Sequence, residues 1–239
     1  MGSLQSLQES LAANEISPIY CFVGEEPYLV EEARRHVLEV VLAGTEKDFN
    51  MDSFFASEVD PEKFVDAVET LPMMALRRVV VLKEIQMAKE KLLEAINKIM
   101  QNPVGSTTLI MTGGKVDRRK KIFRQLEENS FLWDLKRPYD NQIPEWIEYI
   151  ARQQNLTVEP EARRLMAQMV GSNLHEIENE LRKLSQYLGD ANSSERQTVT
   201  VDHVMKVVSY ARLDSVFDLT NAIGECDRAK ADRKSTRLN

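Results

Sequence analysis

The sequence predicts an α/β protein, a mainly parallel five-stranded sheet interleaved with helices and followed by a domain made of helices alone. Three observations carry this. Short apolar runs alternate with segments of helical period up to about residue 140, as expected for strands covered on both faces. The first run ends at Gly24 and passes at once into a helix near Pro27, which is the strand, glycine turn, helix opening of a doubly wound domain. From about Asn141 every segment is helical in period and no β-rich run of useful length remains.

Taken in order, Leu4, Leu7 and Leu11 recur at helical spacing until Ser17-Pro18, and IYCFV, residues 19–23, is the first buried strand. A helix carries Leu29, Ala33, Val37 and Val41 to Gly44. Residues 49–55 form the second strand, and Asp60-Pro61 caps a helix whose inner face is Phe64, Val65 and Val68. Residues 78–82 are the third strand, and the stripe Leu92, Leu93, Ile96, Ile99 and Met100 ends at Asn102-Pro103. Residues 107–111 are the fourth strand, a helix follows from about Arg118, and residues 131–135 are the fifth strand.

Further on, Ile143, Trp146, Ile147 and Ile150 share a helical face, as do Ala162, Leu165, Met166 and Met169 before Gly171. Asn173, with Glu176 three positions on, opens a helix carrying Ile177, Leu181, Leu184 and Leu188. Thr200 caps a short helix with Val204, Val207 and Val208. The expected domains are therefore 1–140, 141–212 and the beginning of a third at 213–239. The tail DRKSTRLN, residues 232–239, has no apolar period and reads as foreign to a chain that ends inside this third domain.

With 239 residues, 43% hydrophobic and 29% charged, the composition is that of a globular protein. A net charge of −7 argues against a general nucleic-acid coat. Two cysteines, Cys21 and Cys226, suggest no disulfide framework and fit a reducing cytoplasm. No leader and no membrane span are read in the sequence. His36, His175 and His203 lack metal-ligand spacing, and no nucleophile motif occurs, so neither a metal nor a catalytic residue is expected. Trp133 and Trp146 are read as core.

A phosphate-binding loop needs G-x-x-x-x-G-K-[ST], and only Gly24 satisfies it. Leu29 replaces the second glycine, Val30 the lysine and Glu31 the metal-binding hydroxyl, while Glu25 and Glu26 would repel an anion. After the third strand comes Lys83, with Glu84 one step beyond, where an ATPase carries its acidic metal ligand. The basic cluster Arg118, Arg119, Lys120 and Lys121 has two readings: a solvated helical face, or a phosphate or subunit contact at the ligand end of the sheet.

The stretch TLPMMALRRVVVLK, residues 70–83, sets Leu71, Met73, Met74 and Leu76 in front of a buried strand. Periodicity places the Met pair at a sheet edge and leaves two fates for it, burial in its own core or adaptable contact with a partner.

Five stretches in order resemble the delta subunits of bacterial DNA polymerase III clamp loaders, over roughly residues 18–231. They are PIYCFVGEEPYLVEEA (18–33), TLPMMALRRVVVLK (70–83), TTLIMTGGKVDRRKK (107–121), GSNLHEIENELRKL (171–184) and SVFDLTNAI (215–223). The resemblance implies a RecA-like (AAA+ type) domain without ATPase activity, a helical lid and the start of a helical collar. It implies a non-catalytic subunit of a DNA-directed DNA polymerase (nucleotidyltransferase) holoenzyme, without a cofactor. Its partners would be the sliding clamp (beta subunit), the other clamp-loader subunits and, through the complex, primed DNA. The wedge that opens the clamp would be Leu71, Met73 and Met74; family members often carry Leu and Phe at the last two positions. Two rival readings are an active P-loop NTPase and a DNA-binding adaptor acting through residues 118–121.

Overall fold

The structure, a computed structural model, describes residues 4–189 and 196–208. The expected collar segment and tail at 213–239, and Cys226, lie outside the described residues. Backbone packing divides the chain into two compact units, Met1–Arg137 and Pro138–Asn239.

The first unit opens with α1 (Leu4–Ala12), whose Leu4, Leu7 and Leu11 are buried. β1 (Ile19–Gly24) follows, then α2 (Pro27–Val41), with Pro27 in its first turn where a missing amide does no harm. A single helical turn, α3 (Lys47–Asn50), precedes β2 (Met51–Phe55). The second strand is thus shorter than the sequence suggested, because Phe49 and Asn50 belong to the turn that feeds it. α4 (Pro61–Glu69) is capped by Asp60, whose Oδ1 accepts from the Glu62 amide at 2.8 Å. β3 (Arg78–Lys83), α5 (Glu90–Gln101), β4 (Thr107–Gly113), α6 (Lys121–Glu128) and β5 (Leu132–Leu135) complete the unit.

α6 begins at Lys121, three residues later than expected, since the Arg119 amide is bonded to the Asp117 carboxylate in the turn before it. A short 3-10 turn, Ile85–Met87, links β3 to α5 and has no periodic signature long enough to read in advance.

All five strands run parallel, in the order β2-β3-β4-β1-β5. The interior strands β3, β4 and β1 are the unalternating apolar runs, and they are buried along almost their whole length. The edges are β2 and β5. This corrects one expectation: the Met pair leads into an interior strand, so it sits at the amino end of the sheet and not on an edge. On one face, Phe64 and Val68 of α4 and Leu92, Ile96 and Ile99 of α5 pack with Ile19, Val80, Leu82 and Leu109. Cys21 is fully buried, and that burial pushes its thiol up to about 12, so it is a neutral core residue.

The second unit contains α7 (Ile143–Gln153), β6 (Leu156–Val158), α8 (Pro160–Val170), α9 (Leu174–Leu188), β7 (Gln197–Val199) and α10 (Val201–Val207). Asn173 accepts from the amides of His175 and Glu176, and Thr200 accepts from that of His203, so both predicted caps form. The parallel pair β6-β7 corrects the expectation of helices alone, since two strands of three residues are too short to leave an alternating pattern. Trp133 and Trp146 are partly buried: the ring of Trp133 lies 6.4 Å from that of fully buried Phe22, and the indole of Trp146 meets Tyr149 edge to face at 5.3 Å.

Phe64 has no exposed surface and meets Phe54 edge to face at 6.3 Å. Phe64→Ala is expected to lower the unfolding free energy in urea by about 3–5 kcal/mol. A loss under about 1 kcal/mol, the ordinary range of surface changes, would contradict the packing described.

Candidate functional site

The residues singled out by sequence fall at the two ends of the sheet. At the carboxyl end lie Gly24, Lys83 and the loop that follows β4; at the amino end lies the segment joining α4 to β3.

At the carboxyl end, Gly24 pairs with Leu135 of β5, and a Cβ added to it would stand 2.0 Å from the Leu135 carbonyl oxygen. Close approach of two strands therefore accounts for this glycine without a phosphate. Leu29 and Val30 are buried within the first turn of α2, and exposed Glu31 pairs with Arg34. The Lys115 ammonium reaches back to the Glu25 carboxylate at 2.9 Å. That hydrogen bond, with the charge behind it, holds the Glu25 carboxyl below its usual range and raises Lys115. Lys83 turns its ammonium over the Phe55 ring, 5.3 Å from the centroid. The positions that in an ATPase would hold phosphate and metal here carry buried aliphatic groups and a surface ion pair.

The basic cluster is partly neutralised by its own neighbours. Arg118 reaches Asp134 at 2.6 Å and Glu127 at 3.5 Å, and Arg119 is bonded twice to Asp117. Lys120 and Lys121 are exposed beside a mixed-charge groove whose walls include Glu90 and Glu94. Among the described residues no group of three or more His, Cys, Asp or Glu is placed to hold a metal ion, and no helix is long and apolar enough to cross a membrane.

The amino end is built differently. α4 ends with the Thr70 hydroxyl bonded to the Asp66 carbonyl at 2.6 Å, and the Thr107 hydroxyl donates to the Val68 carbonyl at 2.7 Å. At the other end of the segment, the Arg78 amide donates to Ser106 at 2.9 Å as β3 begins. Between these anchors the apolar side chains face solvent: Leu71 is 74% exposed, Met73 48%, Met74 fully and Leu76 94%. Lone exposed aliphatic residues are ordinary, but four within six residues form a patch. Phe49, 61% exposed, adjoins Asn50 in the turn before β2 and adds an aromatic ring at the same end of the sheet.

What holds the patch outward is the buried carboxamide of Asn50. Its Oδ1 accepts from the Met73 amide at 2.8 Å and its Nδ2 donates to the Met73 carbonyl at 2.9 Å, with a second bond to Glu46 at 3.2 Å. Below it, the guanidinium of buried Arg78 pairs with Asp52 and reaches the Leu71 carbonyl at 3.5 Å. Met74 takes a left-handed backbone, φ +53°, which disfavours any residue bearing a Cβ by roughly 1–2 kcal/mol. Hydrogen bonds of about 0.5–1.5 kcal/mol each offset that strain. The structure thus fixes the backbone of the segment while leaving Leu71, Met74 and Leu76 largely exposed and Met73 about half so.

Of the expected wedge residues, Leu71, Met73 and Met74 come together on this segment, and Leu76 joins them. Sequence reasoning missed Asn50, whose partner lies 23 positions away. Phe49, expected in the second strand, stands instead in the helical turn before it, beside buried Asn50.

Residues 20–136 match the family model described as DNA polymerase III, delta subunit. DNA polymerase III subunit delta of Bacillus subtilis is 28% identical over 225 residues, covering 90% of this chain and 63% of the relative. The chain therefore spans under two thirds of that relative's length. The solved Bacillus subtilis DNA clamp loader delta protein superposes with a TM-score of 0.70 at 25% identity, covering 99% of this chain and 71% of that one. The Thermotoga maritima RuvB Holliday junction branch migration motor shares the fold, with a TM-score of 0.54 at 13% identity over 92% of this chain and 72% of that one. The resemblance read from the five sequence stretches is borne out, as is the RecA-like (AAA+ type) α/β fold.

Asn50→Ala removes both bonds to Met73 while leaving the apolar side chains in place. It should lower stability by about 1–3 kcal/mol and speed hydrogen exchange of the Met73 amide. Unchanged exchange at Met73 would show that the carboxamide does not hold the loop.

Proposed function

We propose that this chain, a relative of the delta subunit of DNA polymerase III, acts as a clamp-loader subunit that binds and opens the sliding clamp. The observation that carries the reading is the pinned segment just described, an apolar patch whose backbone is locked by Asn50 and Arg78. Leu71, Met73 and Met74 enter a groove on the clamp, with Leu76 alongside. Burial of each such side chain contributes about 1.5–3 kcal/mol before the costs of association, enough for a small hot spot. The locked backbone limits the ordering entropy lost on docking.

Opening the ring requires only that the wedge bind the open clamp more tightly than the closed one. No hydrolysis by this chain enters that step. The substitutions at Leu29, Val30 and Lys83 and the Glu25–Lys115 pair support an ATP-independent role, with ATP acting on neighbouring loader subunits that expose or hide the wedge. Lys120 and Lys121 are the residues left for contact with such a subunit or with the phosphates of primed DNA. The setting is cytoplasmic and the chain works as a non-catalytic part of the polymerase holoenzyme.

Changing Met73 and Met74 together to Asp should abolish capture of the sliding clamp while leaving the unfolding midpoint close to that of the parent, because both side chains are exposed. Clamp capture by the double variant at parental affinity would overturn the wedge assignment.

A further inference from the structure

The sulfur chemistry of the patch leads beyond docking. Met74 is fully exposed and Met73 nearly half so, whereas Met100, Met111, Met166 and Met169 are buried. A thioether reacts with peroxide according to its access to solvent. The loop is held by bonds from Asn50 to the Met73 amide and carbonyl, and the φ of Met74 is a backbone property, so neither depends on sulfur. Oxidation would therefore alter the contact surface without releasing the loop.

We propose that Met74, together with Met73, is an oxidation site that governs docking through this segment, an inference resting on the wedge reading above. The oxidant is a peroxide. A sulfur lone pair attacks one oxygen of hydrogen peroxide, the O–O bond breaks as the S–O bond forms, and the second oxygen leaves as hydroxide and takes the proton from the transferred oxygen to become water. Sulfur loses two electrons, and the peroxide gains them. The product sulfoxide carries a strong acceptor into a contact made by apolar side chains, where it must be desolvated without a partner. The expected penalty is roughly tenfold in affinity for each buried sulfoxide. A sulfoxide reductase with a thiol reductant reverses the change.

Exposed Met87 and Met205 oxidise as well but lie outside the patch, so leucine substitution at 73 and 74 separates the two contributions. The test treats the full chain with hydrogen peroxide, locates added oxygen by peptide mass, and measures affinity for the sliding clamp before and after. The parent should weaken roughly tenfold or more, recover after reductase treatment and keep its unfolding midpoint. The Met73→Leu, Met74→Leu variant, whatever its own untreated affinity, should keep that affinity after peroxide treatment. Equal affinity of the parent with Met73 and Met74 both oxidised overturns this inference alone, as does continued sensitivity of the leucine variant. Failure of the untreated parent to bind overturns the wedge reading and this inference with it.

Discussion

The carboxamide of Asn50, buried at the base of the loop between α4 and β3, decides which way that loop presents its side chains. An exposed loop can satisfy its backbone with water, and nothing in a generic connection requires a buried partner. Here a side chain from another element is committed to both polar groups of one residue, Met73, at 2.8 and 2.9 Å. Buried Arg78, paired with Asp52, reaches the Leu71 carbonyl at 3.5 Å and ties a second point of the loop. Removing Asp52 would leave the buried Arg78 guanidinium without its carboxylate, and removing Asn50 would leave the Met73 amide and carbonyl without their side-chain partner.

This constraint joins two facts that sit awkwardly apart. Leu71, Met74 and Leu76 would stabilise almost any core, yet they face water. Meanwhile the carboxyl end, where open parallel sheets ordinarily gather ligands, has Val30 buried at the lysine position and its loops bridged by Glu25 and Lys115. The fold is shared with RuvB, a branch migration motor. A shared fold leaves function to the site grafted on it. The exposed apolar segment proposed as the contact lies at the other end of the sheet, on a backbone fixed by Asn50.

Much of the fold could be read from sequence because its strongest signals are local. The runs at β1, β3 and β4 have no alternation, Asp60-Pro61, Asn173 and Thr200 mark helix starts, and Gly171, at φ +83°, ends a helix. What escaped was short or distant. β6 and β7 are three residues each, and α3 is a single turn. The site was legible only in part. Composition and spacing gave the apolar residues of the segment but left both core and contact open, with core the commoner fate, since exposure depends on Asn50, 23 positions upstream, and on an ion pair spanning 26. The basic cluster was legible in part in the same way: its residues are plain in the sequence, but the carboxylates of Glu127 and Asp134 that meet Arg118 come from later elements.

On the proposed reading, the amino end of the sheet, and not its carboxyl end, meets the sliding clamp. Hydrogen exchange of the chain with and without the clamp tests this most directly. The account predicts new protection concentrated at residues 70–77 and at the turn holding Phe49 and Asn50, with none in the loop after β4. Protection confined to residues 113–121, with residues 70–77 unchanged, would contradict it.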